Sequence, residues 1–136
     1  MYYRTICYNY DMKPKEKGDL AVAHAIAHFM TRGYEVSLPI GDERDYDMII
    51  EKEGKLYRVQ VKYGGLYPGH TSCKVALRIT GGNQSFHRSK IYAYDAFDIL
   101  FVYTAKNETF VIPWQDITAR NELTIEHVKY SRYKVQ

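Results

Sequence analysis

Residues 44–64 read RDYDMIIEKEGKLYRVQVKYG. Two runs of β-branched and aliphatic residues flank a charged turn at Glu53-Gly54. That is the pattern of a β-hairpin, with strands expected over about 46–51 and 56–63. With two loop residues, Lys52 faces Lys55, Asp47 falls opposite Gln60 and Asp45 opposite Lys62. A four-residue loop at the same centre gives the same register, whereas a three-residue loop turns every side chain to the other face. Directly opposed residues share a face, with Cβ atoms about 4.5–5.5 Å apart. Asp47 and Gln60 are thus expected side by side, with Lys62 one step along and Arg58 on the same face.

These residue types suit one chemistry. Cutting a phosphodiester calls for a hard cation held by oxygen ligands, which carboxylates, amides and backbone carbonyls supply. Such a cation polarises the phosphate and lowers the pKa of a bound water. A nearby ammonium orients the water and offsets charge in the transition state. Asp47, Gln60 and Lys62 offer one group of each kind. The same residues also fit a plain solvated sheet face with a cross-strand ion pair, and the spacing alone leaves both readings open.

The rest of the chain narrows the class. Its 136 residues fit one domain, and 46% hydrophobic with 26% charged residues is a globular composition. A formal charge of +3 matters for nucleic acid only if it is clustered. Cys7 and Cys73 are far apart and form no CxxC, which speaks for free thiols rather than structural zinc. No cleavable signal and no bilayer-length apolar run stand in the sequence, so a cytoplasmic protein without a membrane role is expected. Most of the fourteen tyrosines read as half-buried sheet residues.

Along the chain, residues 1–16 read as an N-terminal extension and 17–136 as a single α/β domain. KGDLAVAHAIAHFMTRGYEV carries a helix capped by Asp19 and stopped by Gly33, with Leu20, Ala23, Ala27 and Met30 on one stripe. YEVSLP, CKVALRIT, FDILFVY and TFVIPW read as strands, the third buried on both faces. WQDITARN reads as a helical turn and TIEHVKYSRYK as a strand with a basic tail. His24 and His28 have a zinc-compatible spacing, but Ala25 stands where a zincin has Glu and no third ligand follows. No phosphate-binding glycine loop is present, and neither Ser72 nor Ser85 lies in a nucleophile elbow. The loop GGNQSFHRSK supplies Asn83, Gln84, His87, Arg88 and Lys90, and the preceding strand Lys74 and Arg78. These types contact phosphates and base edges and are candidate DNA-binding residues. Lys13, Lys15, Lys17, Lys129, Arg132 and Lys134 are further candidates for phosphate contact.

The order of elements carries a resemblance. KGDLAVAHAIAHFMTRGYEVSLPIGD, then YDMIIEKEGKLYRVQVKY, then YDAFDILFVY…FVIP resembles the PD-(D/E)XK nuclease superfamily, most closely its group I intron-associated, homing-type endonuclease branch. The likeness runs from about Lys17 to Ile117. It implies a restriction-endonuclease-like core, a mixed central β-sheet flanked by helices. By the resemblance Asp47 matches the metal-binding acid, with Tyr46 where the superfamily name has Pro. Gln60 matches the (D/E) position and Lys62 the lysine. The Val61 carbonyl would complete the metal shell.

One departure stands out: many relatives carry a glutamate one turn into the first helix, and this chain has Val22. Either the acid has migrated to the GDERD loop, to Asp42 rather than Glu43, or metal binding is weak and the protein binds DNA without cutting it. The resemblance implies a Mg²⁺-dependent DNA endonuclease, with Mn²⁺ as a substitute cation and double-stranded DNA as partner. One site per small domain and two strands to cut imply a homodimer or higher homo-oligomer. A Holliday-junction resolvase and a non-catalytic DNA-binding domain are the alternatives.

Overall fold

The structure is a computed structural model that describes residues 12–79 and 90–135. Its spine is the hairpin that opened the sequence. β2 (Met48–Lys52) and β3 (Lys55–Gly64) pair antiparallel, with Lys52 facing Lys55 and Met48 facing Val59. Both turn residues have positive φ, 54° at Glu53 and 77° at Gly54. That is a two-residue type I′ turn, whose twist matches that of the strands it joins. The register is the expected one.

β3 is the longest strand and the pivot of the sheet. Its other edge pairs in parallel with β7 (Ile99–Thr104), so that Gln60 lies beside Leu100 and Lys62 beside Val102. With β1 (Glu35–Ser37), β8 (Thr109–Pro113) and β10 (Lys134–Val135), the order is β1-β2-β3-β7-β8-β10. The other pairings are antiparallel, which makes the sheet mixed. Every residue of β7 except Ile99 is buried, as expected of a strand covered on both faces.

α1 (Pro14–Thr31) covers one face. Ala21, Ala25 and Phe29 point at Met48, Ile50, Val59, Val61, Phe101 and Tyr103. The alanines let the helix approach closely, and Phe29 meets Phe101 and Tyr34. Burying such a ring contributes on the order of 2–3 kcal/mol. The expected stripe was wrong, since Ala23, Ala27 and Met30 are exposed. The buried ridge follows i, i+4 spacing through the one large aromatic, which outweighs Met30 for a place in the core.

The helix also starts earlier than expected. Pro14 takes the first helical position, and the Glu16 carboxylate accepts the Lys13 N–H at 2.8 Å. Proline at N1 and glutamate at N3 are start signals in their own right. Residues 14–16 are therefore the first turn of α1, and Asp19, inside it, pairs with Lys15 at 3.6 Å. The stop at Gly33 is as expected, with φ 84°.

The other face carries a second core. Leu100, Val102, Phe110 and Ile112 pack under Val75, Leu77, Tyr92, Phe97, Trp114, Leu123, Ile125 and Tyr130. Among the described residues this cover is two small sheets and two 3-10 helices rather than a second α-helix. β4 (Lys74–Ala76) pairs with β9 (Glu122–Thr124), and β5 (Arg78–Ile79) with β6 (Lys90–Ile91). TIEHVKYSRYK is accordingly not one strand: after β9 it turns into a 3-10 helix over Val128–Tyr133 that buries Tyr130. Among the described residues no helix is long and apolar enough to cross a membrane.

His24 and His28 take the bland role. His24 stacks on Tyr103 at 3.8 Å, and His28 meets Phe29 and Phe101 edge-on. Burial, with Arg32 nearby, lowers the His28 pKa from 6.5 to about 4. Below about pH 6.5 the unfolded chain protonates this imidazole while the folded one holds it neutral, so stability falls as pH drops towards 4. The loss should reach about 2 kcal/mol, after allowance for partial solvent exposure. Urea unfolding at neutral pH and near pH 4 should show His28→Leu flattening that dependence, and an unchanged slope would reject the assignment.

Candidate active site

The site builds from the entry into β2. Asp47 donates its N–H to the Val59 carbonyl at 2.8 Å, and its Oδ2 accepts the Val61 N–H at 2.8 Å. The carboxylate therefore reaches across to β3 and is held there. Val59 and Val61 face α1, so alternation along β3 turns Gln60 and Lys62 to the opposite face, beside Leu100 and Val102. Asp47, next to inward-facing Met48, projects to that same face. The fold thus brings Asp47, Gln60 and Lys62 together at one place on the sheet.

The charges are not at ease there. Burial pushes the Asp47 carboxyl above its usual value, and the Val61 N–H and the Lys62 charge only partly offset it. Burial likewise pulls Lys62 below the usual lysine value, more strongly than Asp47 raises it. Desolvation of the half-buried stem and head outweighs the pair attraction.

Tyr92, just after β6, closes the site. Its ring lies 5.2 Å from Lys62 Nζ, and burial together with Asp47 and Asp45 pushes its hydroxyl well above the usual tyrosine range. Sequence reasoning missed this residue. Asp45 and Asp47 are thus the acids whose charge reaches this pocket. Asp42 and Glu43 are exposed and form no hydrogen bond or ion pair among the described residues.

Arg58 has another task. Its backbone N–H donates to Asp98 Oδ2 at 2.7 Å, and its guanidinium bonds both Asp98 oxygens at 3.3 and 3.2 Å. The pair locks the start of β7 onto β3, so Arg58 belongs to the scaffold.

The donor set can be tested for a cation on its own chemistry. Gln60 is 8% exposed, and its amide makes no hydrogen bond among the described residues. The amide is not sealed from solvent, so its oxygen is open to an external ligand. On the same face of the hairpin stands the Asp47 carboxylate, whose burial opposes its charge. Oxygen donors of this kind fit a hard divalent cation. Among the described residues no cluster of three or more His, Cys, Asp or Glu could hold a metal. A cation here would rest on Asp47 with amide and carbonyl oxygens.

The candidate DNA contacts fall into two groups. Lys74 Nζ donates to Thr124 Oγ1 at 2.6 Å, and Arg78 Nε to Asn121 Oδ1 at 2.9 Å. Lys90, exposed, pairs in β6 with Ile79 of β5, so the hairpin brackets residues 80–89. Asn83, Gln84, His87 and Arg88 lie outside the described residues. Of the terminal cations, Arg132 pairs with Asp116 at 3.9 Å and Lys134 with Glu108 at 3.2 Å.

Comparison with known proteins meets this geometry. No curated protein matches the chain. A solved structure described as that of a bacterial homing endonuclease, I-Ssp6803I, is similar with a TM-score of 0.72 and 30% sequence identity. The match covers 82% of this chain and 77% of that one. The sequence pattern of the PD-(D/E)XK endonucleases matches residues 12–135, from just before α1 into β10. With the mixed sheet, the hairpin and nearly the whole length accounted for, the chain belongs to the PD-(D/E)XK endonuclease family.

Proposed function

We propose that the protein is a Mg²⁺-dependent DNA endonuclease of the homing type that cuts both strands of a duplex as a homodimer or higher homo-oligomer. The observation that carries this reading is the unpartnered Gln60 amide beside the Asp47 carboxylate and the Lys62 ammonium, at one place on the sheet. Asp47, Gln60 and the Val61 carbonyl would hold the cation, with Mn²⁺ as a substitute. When bound, the cation polarises the scissile phosphate and acidifies a water.

The chain's own residues do the rest. Asp47 is fixed by the Val61 N–H, so its free oxygen keeps one direction without reorganising during the reaction. Lys62 orients the attacking water and offsets the charge gathering on the phosphate. The water oxygen bonds to phosphorus as the bond to the leaving sugar oxygen breaks; one proton of the water passes to solvent, and the departing oxygen takes one from solvent to become a hydroxyl. Asp42 serves as a third acid if the GDERD loop folds inward on DNA. Lys74, Arg78 and Lys90, with Asn83, Gln84, His87 and Arg88, contact the duplex.

The test is cleavage of linear, supercoiled and four-way DNA with Mg²⁺, with Mn²⁺ and with chelator. Double-strand breaks that need the cation are the expected result. Preference for the four-way substrate would favour a junction resolvase. Binding without cutting in either metal would make the protein a non-catalytic DNA-binding domain, consistent with Val22 and with the thin set of carboxylates.

A further inference from the structure

We propose that Tyr92 is a positioning residue whose ring holds the Lys62 ammonium in place at the Asp47 carboxylate. The catalytic consequence rests on the nuclease reading above, whereas the contact itself does not. Lys62 ends a flexible four-carbon stem and donates no hydrogen bond among the described residues. Such a head group wanders unless something fixes it. What lies against it is the Tyr92 ring, 5.2 Å from Nζ, where the negative face of an aromatic attracts a cation.

The ring is itself immobile. Tyr92 is 6% exposed and stands edge-on to Phe97 at 5.2 Å and to Trp114 at 6.1 Å. Trp114 is pinned by its indole N–H to the Ala93 carbonyl at 3.3 Å, and its backbone N–H donates to the Asp98 carbonyl at 2.9 Å. Asp98 in turn clamps Arg58 on β3, two residues before Gln60. A continuous chain of packed and bonded groups therefore runs from the body of the sheet to the face of the ring. A point charge on a mobile stem is turned into a fixed one.

The contact can be read directly. In the full chain, lysines are reductively methylated with ¹³C-formaldehyde, which keeps their charge, and the Lys62 resonance is assigned by its absence in Lys62→Ala. A methyl group over an aromatic face is shifted upfield. That shift is expected in the wild type and in Tyr92→Phe, and its loss in Tyr92→Leu. In the cleavage assay Tyr92→Leu should lower kcat about tenfold, the size of one cation–π contact, with DNA affinity little changed. Tyr92→Phe should recover most of the rate. A wild-type spectrum with no shifted lysine overturns the proposal even if Tyr92→Leu fails to fold. So does a Phe variant as impaired as the Leu variant, which would move the role to the hydroxyl. A shifted Lys62 resonance in a protein that cuts no DNA would support the contact and reject the nuclease reading instead.

Discussion

Lys62→Met is expected to lower the cleavage rate by about 10²–10³, the usual cost of removing one preorganised electrostatic group. Methionine keeps the stem and fills the space against the Tyr92 ring with a polarisable sulfur, so packing is preserved and only the charge is lost. The protein should not be destabilised. Burial already disfavours the Lys62 ammonium more than Asp47 favours it, so its removal takes away a folding cost at neutral pH. DNA affinity should hold within a few-fold, because a lysine recessed beside Asp47 is placed for the reacting phosphate rather than for the backbone at large. Single-turnover cleavage, thermal unfolding and DNA titration on the same variant separate the three effects. Cleavage at the wild-type rate would make Lys62 an ordinary buried-stem lysine and would remove the central support for the proposed chemistry.

Where sequence reading succeeded, the information was local. Glu53-Gly54 dictates a two-residue turn, the turn dictates the register, and the register puts Asp47 on the face of Gln60 and Lys62. The all-apolar β7 and the glycine stop after α1 are similarly short-range signals. Where it failed, the deciding partner lay far along the chain. Arg58 looked like a member of the polar site row until Asp98, forty positions on, claimed it across the parallel β3–β7 pair. Tyr92 carries no local mark that separates it from the other tyrosines, since its meaning comes from Lys62, Phe97 and Trp114 converging around it. The early start of α1 was legible in Pro14 and Glu16, but Asp19 offered a competing cap. The 3-10 turn at Val128–Tyr133 is set by burial of Tyr130 in the second core, which no pattern within that segment announces.

Those tertiary constraints also bear on the most demanding substitution. Asp47→Asn should cost at least about 10²–10³ in cleavage rate while leaving the fold intact. Its amide oxygen still accepts the Val61 N–H, so the link from β2 to β3 survives, and what disappears is the hairpin's carboxylate in the proposed cation shell. In chelator the variant should be as stable as the wild type or more so. Burial opposes the Asp47 charge beyond what the Val61 N–H and Lys62 return, so a neutral isostere is the easier group to fold around. Added Mg²⁺ or Ca²⁺ reverses the comparison: a ligand that binds only the folded state raises its stability by RT ln(1 + [L]/Kd), and only the wild type should respond. The divalent-dependent rise in Tm is therefore a readout of the site that does not depend on finding the right DNA. Equal rises in both proteins would place the cation elsewhere. With no rise in either, the weak shell implied by Val22 and the neutral Gln60 amide would fail to hold the metal without DNA, leaving the scissile phosphate to supply the missing oxygen.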